Sequence, residues 1–117
     1  MDLTHLHLHV VDRTRSEAFY RRWFGLEVAT RGEEITFMKG DRDFLFALLE
    51  DPSPGPMPAW FHFGIALDTP ADVRRTLEEM TAAGVPIAKP LYADETLTSF
   101  RCADPDNYKI EIYSSRE

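Results

Sequence analysis

Residues 3–25 read LTHLHLHVVDRTRSEAFYRRWFG, and the reading of this stretch decides the fold. Its first part alternates. Leu6, Leu8 and Val10 fall on one side and His5, His7 and His9 on the other, the period of a half-buried strand over residues 3–10. The period then lengthens: Ser16, Phe19, Tyr20, Trp23 and Phe24 recur at helical spacing, with Arg13, Arg15, Arg21 and Arg22 on the wet side. Thr14 followed by Glu17 is a capping-box pattern and predicts the helix start there, while Gly25 predicts its end.

Outward from this stretch, short strands are expected at 26–31, 34–39 and 43–49, broken by Arg31-Gly32-Glu33 and Lys39-Gly40-Asp41. DPSPGPMP at 51–58 is rich in proline and unable to join a sheet. After it the plan repeats. Trp60–Leu67 reads as a strand, Thr69-Pro70 as a capped helix start, and Val73, Leu77 and Met80 as an apolar stripe closed by Gly84. Strands are expected again at 86–89, 97–102 and 108–114. The chain is therefore a near-duplication: module 1 over about 1–50, a hinge at 51–59 and module 2 over about 60–117.

The 117 residues suit one domain, and 44% apolar with 28% charged residues is the balance of an ordinary soluble protein. With 13 basic and 20 acidic residues the net charge is −7, which opposes a nucleic-acid partner. No run is apolar enough to cross a membrane, and the start lacks the pattern of a signal peptide. A single cysteine, Cys102, excludes an internal disulfide and fits a reducing cytoplasm; beside Phe100 it reads as a buried, inert thiol.

The chemistry-bearing residues follow the duplication. His62 stands on the second module's first strand where His5 stands on the first module's, and Glu111 lies in the alternating DPDNYKIEIY near the end. Two histidines and one carboxylate on separate strands can form a facial triad on an octahedral metal, leaving three positions for other ligands. HLHLHVVDRTRSEAFYRRWFGLEV resembles the opening of the vicinal oxygen chelate superfamily, and DPDNYKIEIY its last strand. That family includes glyoxalase I, fosfomycin-resistance thiol transferases, bleomycin-binding proteins and type I extradiol dioxygenases. The resemblance implies an α+β fold in which two βαβββ modules form a cupped mixed sheet, with metal ligands at His5, His62 and Glu111. It implies Fe(II) or Mn(II) ahead of Zn(II) or Ni(II), a small-molecule substrate and a homodimer.

The fourth ligand of glyoxalase I-like members falls on Ala47, which cannot bind a metal, and Glu50 has the wrong strand parity to replace it. The three-ligand count places a ring-cleaving dioxygenase first, a glyoxalase-type lyase or isomerase next and thiol transfer third. A metal-free binder of the bleomycin-resistance kind is the competing class. Arg101 stands where extradiol enzymes carry a tyrosine and is a candidate anion clamp. His7 is the candidate acid–base group, with His9 as polar lining. Trp60, Phe46 and Tyr113 are candidate walls of a substrate pocket, and Asp104-Pro105-Asp106-Asn107 is a turn without a role.

Overall fold

The alternation at the start of the chain folds as a strand. A computed structural model describes residues 1–115, in which β1 (His5–Val10) buries Leu8 and Val10 and leaves His5 and His7 exposed. Helix α1 (Arg13–Phe24) follows, then β2 (Glu27–Arg31), β3 (Ile35–Lys39) and β4 (Leu45–Glu50). The strands form a four-stranded sheet in the order β1-β4-β3-β2, with β1 parallel to β4 and the other pairs antiparallel. The second half repeats this topology. Strand β5 (His62–Ala66), helix α2 (Pro70–Ala82), β6 (Ile87–Ala93), β7 (Leu97–Ala103) and β8 (Lys109–Ser115) give a sheet ordered β5-β8-β7-β6. The chain divides into two compact units, Met1–Pro56 and Met57–Glu117. Each is a βαβββ module with its own mixed sheet, and the fold is α+β.

In each unit the helix covers one sheet face. In the first, Leu8, Val10, Met38, Phe46 and Leu48 are buried together with Tyr20 of α1, whose ring centroid lies 4.5 Å from that of Phe46. In the second, Phe100, Cys102, Ile110 and Ile112 are buried with Val73 and Met80 of α2. The opposite face of the first sheet carries His5, His7 and His9 beside Leu45, Ala47 and Leu49, and that of the second carries His62, Arg101, Glu111 and Tyr113. No helix among the described residues is long and apolar enough to cross a membrane.

Three local expectations need correction. Helix α1 begins at Arg13, not Thr14, because the Asp12 carboxylate accepts from the Arg15 amide at 3.2 Å and serves as N-cap. This releases Glu17 from the capping box. It is buried instead, accepting hydrogen bonds from the Arg31 guanidinium and, at 2.8 Å, from the Thr36 hydroxyl. Arg13 is not on the wet side either; its side chain is 15% exposed and donates to the carbonyls of Gly32 and Glu33. Lastly, β6 runs through Pro90 to Ala93 rather than stopping at residue 89. It is an edge strand with shifted register, where a proline costs no ladder hydrogen bond.

The other punctuation holds. Gly25 takes a left-handed φ of 66° and its amide caps α1 through the Arg21 carbonyl. Thr69 caps α2, its hydroxyl accepting from Asp72 at 3.1 Å, with Pro70 at the first helical position. Asp104 closes the β7–β8 turn by accepting from the amides of Asp106 and Tyr108, both at 2.9 Å.

Candidate metal centre

The second unit brings two of the expected ligands together on its open face. Strands β5 and β8 are parallel, and their register sets His62 beside Lys109 and Gly64 beside Glu111. Gly64 offers no side chain opposite Glu111, so the carboxylate reaches diagonally to the neighbouring row. His62 Nε2 lies 3.2 Å from Glu111 Oε1, and the two side chains are 31% and 23% exposed. From the other side the Tyr113 ring leans over the same glycine.

The proton on His62 is placed by its other nitrogen. Nδ1 lies 3.1 Å from the Trp60 carbonyl, which can only accept, so Nδ1 carries hydrogen and donates. In a neutral ring Nε2 is then a bare lone pair facing a carboxylate that also only accepts. Such a contact is favourable only with a cation between the two atoms: a proton on the ring or a metal ion. The donor chemistry fits a metal. Cis donors about 2.1 Å from an octahedral ion stand roughly 3.0 Å apart, and tetrahedral donors roughly 3.4 Å, which bracket the observed separation. A backbone carbonyl holding the far nitrogen is the usual support of a ligating imidazole. Among the described residues no three His, Cys, Asp or Glu side chains come together as a metal-binding group, so this pair supplies two donors.

Beside the pair lies a bay of about 210 Å³, lined by Lys89, Pro90, Tyr92, Leu97, Ser99, Phe100, Arg101 and Glu111. Arg101 enters it because it is the register partner of Glu111 across β7 and β8. Tyr113 shares that sheet face, next to Ser99 and Ala66. Trp60 does not line the bay; it sits in the turn before β5, 74% exposed.

The first unit carries the histidine face. His5 is exposed, with Nδ1 3.0 Å from the Thr4 hydroxyl. His7 is exposed, its ring centroid 5.2 Å from that of His9. His9, expected only as lining, has Nδ1 2.9 Å from Asp51 Oδ2, and that bond holds the Asp51 carboxyl below its ordinary range. Ala47 pairs with His7 and so shares the histidine face, where it offers no donor atom. Glu50 pairs with Val10, on the opposite face, and lies 3.8 Å from Arg13 Nε. Phe46 is on that opposite face too and is a core residue against Tyr20, not a pocket wall.

The composition hid the bay. Lys89 lies at the end of the strand expected at 86–89 and Tyr92 beyond it, and Ser99 carries no signal of its own. The edge strand β6 places Lys89 and Tyr92, and its neighbour β7 places Ser99.

The βαβββ duplication, with its His62–Glu111 pair beside an open bay, has counterparts among known proteins. The chain belongs to the Glyoxalase/Bleomycin resistance protein/Dioxygenase superfamily, whose family model matches residues 2–112. Its fold is similar to that of a genomically encoded fosfomycin resistance protein, FosX, from Listeria monocytogenes, at 21% identity and a TM-score of 0.85 over 99% of this chain and 94% of that one. A structure described as a "possible Glyoxalase" from Bacillus cereus is 25% identical, with a TM-score of 0.82 over 96% of this chain and 97% of its own. Lactoylglutathione lyase from Agrobacterium tumefaciens is 21% identical, with a TM-score of 0.78 over 97% and 92%. No curated protein sequence matches at a significant level.

Proposed function

We propose that the chain is a metal-dependent enzyme that binds a small molecule through two neighbouring oxygens, with His62, Glu111 and His5 as protein donors. The carrying observation is the 3.2 Å approach of His62 Nε2 to Glu111 Oε1, with His62 Nδ1 turned to the Trp60 carbonyl. Membership of a superfamily named for glyoxalases and dioxygenases supports the same reading. When bound, a divalent ion of the Fe(II) or Mn(II) kind supplies Lewis-acid polarisation of the substrate's oxygens.

The remaining work falls to side chains. Trp60, through its carbonyl, keeps the His62 ring in the tautomer that presents Nε2. Arg101 lies beside Glu111 and holds negative charge on the substrate with a forked set of donors. Ala47 and Glu50 add no fourth donor, since one has no ligating atom and the other is on the wrong face. A three-donor site leaves room for both substrate oxygens and a further ligand. This favours ring cleavage of a catechol-like substrate over glyoxalase-type isomerisation.

The test is to load the chain with Fe(II) without oxygen, then assay catechols in air and α-ketoaldehyde hemithioacetals in parallel. Ring-cleaved product supports the reading, and turnover of the hemithioacetals alone overturns the choice of reaction. His5→Ala, His62→Ala and Glu111→Gln are each expected to abolish turnover.

A further inference from the structure

The row of residues that crosses the second sheet at Glu111 sets two cations, Lys89 and Arg101, beside one carboxylate that His62 already engages. Register pairs Lys89 with Arg101 and Arg101 with Glu111, so the three stand on successive strands β6, β7 and β8, and all three line the same bay. Neighbouring strands are about 4.8 Å apart, which sets Arg101 one step and Lys89 two steps from Glu111. Glu111 is engaged by His62. Asp94, the acid that follows on β6's edge, accepts from the Tyr92 hydroxyl at 2.6 Å and from the amides of Thr96 and Leu97, both at 2.8 Å. Among the described residues neither Arg101 nor Lys89 makes an ion pair or side-chain hydrogen bond. In a chain of 20 acidic and 13 basic residues, two adjacent cations sharing a bay with one carboxylate, itself held by His62, run against the composition. They repel each other unless an anion lies between them.

We propose that Arg101 and Lys89 form an oxyanion subsite that takes a carboxylate or phosphate group of the substrate, with Arg101 giving the paired donors and Lys89 the point charge. The inference rests on reading the bay as the substrate site, and it names the substrate class: a small molecule bearing an acidic group a few ångströms from the oxygens that face Glu111. The guanidinium fork can pair with two oxygens of either oxyanion, while an ammonium tolerates both. The bay, of about 210 Å³, has room for such a small molecule.

The experiment uses the full chain after chelator treatment, so that it does not depend on a bound metal. Inorganic phosphate and malonate are titrated separately at constant ionic strength, with the Arg101 Nε–H resonance and the β6–β7 amides followed by NMR. Saturable shifts are expected at these positions, with chloride giving none. Arg101→Gln is expected to weaken binding about tenfold or more and Lys89→Gln several-fold, with Arg101→Lys in between. Arg74→Gln, on the exposed side of α2, is the control and leaves binding unchanged. Preference for phosphate assigns a phosphoryl-type group and preference for malonate a carboxyl group; either supports the subsite. No saturable shift with either anion, or equal affinity in Arg101→Gln and Arg74→Gln, overturns it. Metal content of the same preparations is measured separately, so a failed metal reading is distinguished from a failed subsite.

Discussion

The Tyr113 ring lies across Gly64 so closely that a Cβ on Gly64 would stand 3.1 Å from Tyr113 Cε1. The glycine is therefore a spatial requirement of the Tyr113 ring rather than a conformational one, and it sits opposite Glu111. Gly64→Ala is expected to push the ring aside and cost about 1–3 kcal/mol in urea unfolding. In a Tyr113→Ala background the same change is expected to be neutral or stabilising. An equal cost in both backgrounds would contradict the contact.

Glu17 gives a pH prediction. The hydrogen bond from Arg31, helped by the Thr36 hydroxyl, holds its carboxyl below the ordinary 4.5 despite burial. A depressed folded value favours the folded chain above the unfolded pKa, and that contribution is lost as pH falls through the folded value. Stability of the first unit is thus expected to drop below about pH 4.5, with a shallower drop in Glu17→Gln. At neutral pH that variant is expected to lose about 1–2 kcal/mol. Parallel pH–urea profiles of the two proteins would refute this.

Cys102 is buried, and burial pushes its thiol up to about 12, with the nearby Asp104 carboxylate adding to the effect. Aromatic disulfide reagents are expected to modify it only as fast as the chain opens, and quickly in urea. Rapid labelling in native buffer would show an accessible thiol.

How much of this was legible in the sequence depends on the kind of contact. The alternation in His5–Val10, the stops at Gly25 and Gly84 and the cap at Thr69 are local, and local chemistry shows in the residues themselves. His62 and Glu111 were found by pattern, but their meeting across Gly64 depends on strand register, which a single strand does not encode. Lys89, inside an expected strand, was missed because its place beside Arg101 depends on the β6–β7 register. Arg13 was misread because a charged side chain on a helix is counted as solvated, whereas this one reaches loop carbonyls that no local pattern announces.

Assembly supplies a further prediction. Each unit has four short strands and one helix, a small body to bury its own apolar face, and the proline-rich 51–59 segment is stiff enough to carry the second unit to another copy. We expect a homodimer, with His5 of one chain completing the site of the other. Mixing inactive His5→Ala with inactive Glu111→Gln is then expected to restore activity at one of two sites. A monomeric mass at micromolar concentration would contradict the dimer.

Whether His62 and Glu111 bind a metal is decided most directly by Mn(II) titration of the full chain, followed by electron paramagnetic resonance. The account predicts one Mn(II) per site, with affinity reduced at least tenfold in His62→Ala and in Glu111→Gln and unchanged in Glu50→Gln. Absence of Mn(II) binding, or equal affinity in all four proteins, would instead make the 3.2 Å contact a proton-bridged ion pair and contradict the metal site.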